Sequence, residues 1–134
     1  EPAFSSPDYL PYLQWIHFAE SSAMVPVLLK LFTQFETNAG TQLKFLDGYT
    51  RTEFDKVLGY LDSALVNKTF IVGDTLSGAD FMLAFVAITV VEQMKCGAQY
   101  PHLQAYLQRL AELDSWKRAL KLERELDEQS GGSE

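Results

Sequence analysis

Few side chains in this sequence combine reactive chemistry with a usable spacing. Its 134 residues include two histidines and one cysteine. His17 and His102 are far apart in sequence and Cys96 is alone, so the residue types argue against a metal centre and against an internal disulfide. Cys96 reads as a small buried hydrophobe rather than a nucleophile. His102, just after Pro101 at a helix start, reads as exposed. Ser77 and Asp80 stand three residues apart. As a catalytic pair they lack a nearby histidine to serve as base. As a structural pair they fit a capping box: the serine hydroxyl accepts the Asp80 N–H, and the carboxylate reaches back to the Ser77 N–H. Leu76 and Phe81 occupy the flanking positions of a hydrophobic staple. We therefore read Leu76, Ser77, Asp80 and Phe81 as a helix start. His17, Glu20 and Ser21 form a different cluster, spaced i, i+3 and i+4 on one helical face. Polar groups gathered on an otherwise apolar helix need partners. Those partners are a bound ligand on one reading, and solvent or a polar subunit contact on the other.

A succession of helices must position these residues. Residues 1–7 hold two prolines and two serines and read as an extended lead-in. Helical spacing begins with Leu10, Leu13 and Ile16 or His17, and Asp8 can cap it. From Tyr9 to Phe35 there is no glycine; Pro11 lies near the start, and Pro26 in the interior should kink the helix near Ala23. Residues 37–50 contain Asn38, Gly40, Asp47 and Gly48 and read as a loop, with a short apolar turn at Leu43–Leu46. Phe54, Val57, Leu58, Leu61 and Leu65 make the apolar stripe of an amphipathic helix that Asn67 and Lys68 end. Phe70, Ile71 and Val72 lack a second strand to pair with, so they read as an apolar connector packed on the core.

Between Asp80 and Val91 only Asp80 and Thr89 are polar, which predicts a central helix buried on every side. Pro101 opens another helix with the stripe Leu103, Tyr106, Leu107, Leu110 and Leu113. Asp114 or Ser115 caps a last helix that turns Trp116, Ala119 and Leu120 inward. Residues 129–134 read as a flexible tail. The fold class is all-α, a helical bundle of about five helices around a buried central helix.

Composition narrows the function. Hydrophobic residues make up 47% and charged residues 22%, as in a soluble globular domain. No run of about 18 apolar residues is present to span a membrane. The formal charge of −7 argues against nucleic acid and anionic lipid as main partners. The first methionine is Met24, so we expect the natural protein to be longer than this chain.

The segment Leu76-Ser77-Gly78-Ala79-Asp80 before an apolar helix resembles the capping motif of the C-terminal helical domain of glutathione transferases. Tyr100-Pro101-His102-Leu103-Gln104-Ala105-Tyr106-Leu107-Gln108-Arg109-Leu110, followed by Trp116 and Ala119, is similar to the family's next helix pair. Tyr12, Trp15, the run His17 to Ser21 and Pro26 resemble the domain's first helix in bacterial and fungal enzymes. The resemblance spans about residues 8–126. It implies a helical domain over 8–128, preceded by an interdomain linker remnant at 1–7.

It also implies a missing partner domain, thioredoxin-like, that binds glutathione and activates its thiol. The helical half would wall the pocket for a small hydrophobic electrophile and supply homodimer contacts, and would be inactive alone. On this resemblance Glu20, Ser21 and Met24 face that pocket, His17 lies near the glutathione of the other subunit, and Trp116 covers the pocket or packs in the core. The parent enzyme would be cytoplasmic and would conjugate glutathione to electrophiles in detoxification, or reduce peroxides, without a metal. The alternative is a non-catalytic module, as in similar domains that mediate association in translation assemblies.

Overall fold

The computed structural model describes residues 1–130, side chains at 123, 124 and 127–130 excepted. The expected tail at 129–134 lies, from 131 onward, outside the described residues, and helix runs through 129 and 130. Six α-helical segments follow one another: α1 (Tyr9–Phe18), α2 (Met24–Asn38), α3 (Lys44–Ala64), α4 (Gly78–Ile88), α5 (Pro101–Ala111) and α6 (Asp114–Ser130). A π-helical turn at Ala19–Ala23 joins α1 to α2, so the first two segments form one bent rod. The described residues thus build five rods, with no strand among them.

The bend has a direct cause. Pro26 has no N–H to donate and sits in the first turn of α2. The preceding turn widens, and the Met24 N–H reaches the Ala19 carbonyl five residues back. The kink falls at Ala23, where the proline predicted it. The rod's inward face differs from expectation. Trp15, Ala19, Ala23 and Val27 are buried at steps of four, whereas Leu10 is 75% exposed. Tyr12 and Ile16 pack partly against the core. Asp8 makes no side-chain cap among the described residues; its own N–H donates to Ser6 Oγ at 3.2 Å. Residues 4–8 form turns rather than an extended lead-in.

α3 begins ten residues before Phe54. Leu46, Thr50 and Phe54 continue the inward stripe of Leu58, Leu61 and Leu65. Gly48 costs the helix about 1 kcal/mol relative to alanine, a cost that propagation from a well-packed core can absorb. The expected loop therefore shrinks to the few residues between Asn38 and Lys44. α3 ends as predicted, with Asn67 in the left-handed region at φ 57°. Ile71 and Val72 are buried in an irregular connector.

α4 is the centre of the bundle, packed against the bent rod and α5. Its Ala79, Leu83, Ala84, Val86 and Ala87 are buried. It is not buried on every side: Phe81 and Phe85 are 48% and 60% exposed on one open stripe. Gly78 explains the close fit at its start, since a Cβ there would stand 2.9 Å from the Tyr12 hydroxyl. Pro101 takes the first position of α5, and Leu103, Tyr106, Leu107 and Leu110 are buried behind it.

The Ser77–Asp80 box forms. Asp80 Oδ2 accepts the Ser77 N–H at 2.8 Å and the Ser77 hydroxyl at 2.9 Å. Its other oxygen accepts the Ile71 N–H at 2.9 Å and the Tyr106 hydroxyl at 2.7 Å. Asp80 is wholly buried, so a charge that would be costly alone is held by four donors. Burial, then the Asp80 charge and hydrogen bond, push the Tyr106 phenol far above its ordinary value. Tyr100, bonded to Asp55 at 3.1 Å, is raised by its own burial and by Asp55.

Asp80→Ala strands these donors in the core. It should cost about 3 kcal/mol and lower the Tm by roughly 10 °C; an unchanged Tm would remove the network from the account of the fold. The raised phenols give a second expectation. Tyr106 is held neutral in the folded state, so its contribution is complete below about pH 10, where unfolded tyrosine ionises, and declines above it. Tyr106→Phe should flatten the alkaline fall in Tm, and a curve parallel to the parent's would refute this.

Candidate functional site

The π turn sets the geometry of the first candidate surface. It brings Ser21 and Ser22 to a cleft of about 260 Å³, whose other lining residues are Val25, Pro26 and Leu29 from α2 and Tyr49, Glu53 and Val57 from α3. π turns are frequent at functional sites. The Ser21 hydroxyl donates to the His17 carbonyl at 2.7 Å and lies 3.4 Å from Ser22 Oγ. Its bond is thus to the backbone rather than to the imidazole, and it is not set up as a base-activated nucleophile. The cleft offers hydroxyls, the Glu53 carboxylate and an apolar wall. That is the composition of a binding surface.

The predicted residues do not converge. His17 and Glu20 are exposed on the rod and lie outside this cleft. Met24 is half-buried against the core. Trp116 lines a separate apolar groove of about 560 Å³ with Phe81, Ile88, Ala119, Leu120, Leu122 and Leu126. Ala119 and Leu120 were expected to face inward; both are exposed along this groove, opposite the open stripe of α4. Phe81 therefore lines a surface, while Leu76 packs partly against the core. Tyr49 escapes a reading of the sequence that places residues 37–50 in a loop, and Glu53 one that starts the helical stripe at Phe54, because the helix turns both to the cleft at Ser21.

Cys96 is half-buried at the edge of a third cleft of about 530 Å³ between the end of α2 and the start of α3. Its thiol lies 3.4 Å from the Met94 carbonyl. Among the described residues, no group of three or more His, Cys, Asp or Glu side chains is placed to hold a metal ion. Nor is any described helix long and apolar enough to cross a membrane.

A helical bundle with a capped central helix and open apolar surfaces, rather than a reactive centre, is the class of structure these observations define. Comparison with known proteins is specific. Residues 21–114 match the family described as the C-terminal domain of glutathione S-transferase. The chain belongs to this family. It is similar to a glutathione S-transferase structure from Actinobacillus pleuropneumoniae, with a TM-score of 0.76 and 26% identity over 90% of this chain and 53% of that one. Glutathione S-transferase I bound with lactoylglutathione shares the fold, with a TM-score of 0.64 and 21% identity over 83% of this chain and 55% of that one. So does glutathione S-transferase III in apo form, at 0.66 and 16% over 90% and 56%. No curated protein sequence matches. The chain spans about half the length of the solved structures it resembles.

The exposed and buried faces of the rod should respond differently to substitution. His17→Ala and Glu20→Ala should each change stability by less than about 0.5 kcal/mol, as at free surface positions. Ala23→Leu forces extra volume into a fully buried site and should cost about 1–3 kcal/mol. Denaturant unfolding of the three variants checks this, and a costly His17→Ala would show that face to be structural.

Proposed function

We propose that this chain is the C-terminal half of a glutathione transferase and provides the wall of its acceptor pocket and its dimer contacts. The observation that carries the proposal is the pairing of family membership with an incomplete span. The chain has a closed core of its own, yet it matches only about half of the solved enzymes. Glutathione would be the co-substrate, held by the other half. A thiolate activated there attacks an electrophilic carbon, the carbon–sulfur bond forms, and the leaving group departs with its electron pair. Reduction of a peroxide by the same thiolate fits equally. No metal is needed for either. The parent enzyme would work in the cytoplasm, in detoxification.

Within this reading Ser21, Glu20 and Met24 lie toward the small hydrophobic electrophile, and Trp116, which lines a separate groove in this chain, would border its pocket from α6. His17, exposed on the rod, lies toward the glutathione of the other subunit. A homodimer is supported by the outer face of α2. Val25, Leu28, Phe32 and Phe35 recur at steps of three, four and three, the spacing of a coiled-coil seam, and all four are exposed. A contiguous exposed apolar stripe of this kind marks an interaction surface.

The decisive comparison is between this chain and the protein extended by its own upstream coding sequence. The extended protein should conjugate glutathione to a chlorodinitrobenzene, and the 134-residue chain alone should neither do so nor bind glutathione in the micromolar range by calorimetry. An upstream segment without a thioredoxin-like domain would replace the enzyme by the non-catalytic interaction module. Phe32→Glu should convert a self-associated chain to monomer in sedimentation equilibrium. A parent chain that is already monomeric at high concentration would remove the seam from the proposal.

A further inference from the structure

A cluster on the far side of α5 takes no part in the surfaces described so far. Asn67, Lys68 and Thr69 follow the end of α3 and close, with Leu65, His102 and Arg109, around a cleft of about 320 Å³. His102 and Arg109 are two turns apart on the same face of α5. The lining holds two permanent cations and an imidazole, and no carboxylate. That is unexpected in a chain of net charge −7.

The cations are also held in place. The Arg109 guanidinium donates to the Lys68 carbonyl at 2.9 Å, and the Lys68 ammonium donates to the Ile71 carbonyl at 3.1 Å. Both partners are neutral carbonyls, so neither bond compensates a positive charge. The ion pairs of the described residues (Arg51–Asp47, Lys56–Glu53, Lys117–Glu112 and Lys121–Glu125) include neither. Asp62, the carboxylate of the adjoining α3 turn, accepts the Leu103 N–H at 2.8 Å and does not line the cleft. An arginine keeps further N–H donors after one bond is made, and a lysine keeps two. The Asn67 amide and Thr69 hydroxyl add neutral donors at the same rim.

We propose that this cleft binds a phosphate-class oxyanion, either free phosphate or the phosphate of a small monoester. Two cations, each tethered to a backbone carbonyl by one bond, suit a tetrahedral dianion. The proposal is independent of the transferase reading.

The test uses the 134-residue chain with inorganic phosphate and with phenyl phosphate, followed by calorimetry and by amide chemical shifts. Saturable binding of either probe, with shifts concentrated at residues 65–69, 102 and 109, supports the site; binding of both assigns it to the oxyanion, and binding of phenyl phosphate alone assigns it to the monoester. Thr69→Asp places a carboxylate at the exposed rim without touching the two carbonyl bonds. It should weaken binding by roughly tenfold or more while the Tm and circular dichroism hold. Arg109→Gln should do the same, and Lys117→Gln, in the pair with Glu112, should not. Absence of saturable binding, binding unchanged in Thr69→Asp, or an equal loss in Lys117→Gln would overturn the proposal.

Discussion

The buried carboxylate of Asp80 is the constraint on which the rest of the bundle depends. An ionised carboxylate in an apolar interior is unfavourable by several kcal/mol unless donors surround it. Its four donors come from three separate stretches: the connector at Ile71, the helix start at Ser77, and α5 at Tyr106. Once α4 is central, its first turn is buried and its orphan N–H groups cannot reach water. The same carboxylate satisfies the cap and locks the connector and α5 against it. The chain from Ile71 to Tyr106 is therefore ordered around one side chain, which is why a non-repetitive connector can lie in the core.

The second determinant is backbone irregularity on the two rods that cross the centre. The bent rod carries a π turn ahead of Pro26, and α4 ends in another at Thr89–Gln93, where the Met94 N–H reaches the Thr89 carbonyl. Each inserts an extra residue into the helical repeat and shifts the face that follows. On the first rod the shift keeps Ala19, Ala23 and Val27 inward while turning Val25 and Leu28 outward. The cleft at Ser21 and the apolar seam of α2 thus share one cause, a proline without a donor.

Much of this was legible from residue types. The capping pair, the kink at Pro26, the stripe of α5 and the role of Pro101 all rest on local rules that hold wherever the segment sits. What escaped was tertiary. Gly48 and Asp47 read as breakers, yet Thr50 is buried on the same face as Phe54, and packing against α2 carries the helix back to Lys44. Leu10 had the right spacing for a core position, but it lies in the first turn of α1, and the inward face of the rod runs instead through Trp15, Ala19, Ala23 and Val27. Tyr106 and Ile71 as partners of Asp80 had no local signal, because they lie 26 and 9 residues away. The candidate site was least legible for the same reason: its residues face one another only after α3 has formed its full length.

The uniform apolarity of α4 poses a sharper question, because it predicted burial on all sides and the bundle delivers it on only part of the circumference. Phe81 and Phe85 stay open, and α6 sets Leu120, Leu122 and Leu126 along one groove with Phe81. Evolution of a self-sufficient domain would favour polar residues at these positions, since each exposed large side chain adds to the risk of association. The core is completed from the opposite face by Leu83, Val86 and Ala87. The sequence of α4 thus contains two specifications at once. One face closes the core of this chain, and the other leaves Phe81 and Phe85 exposed.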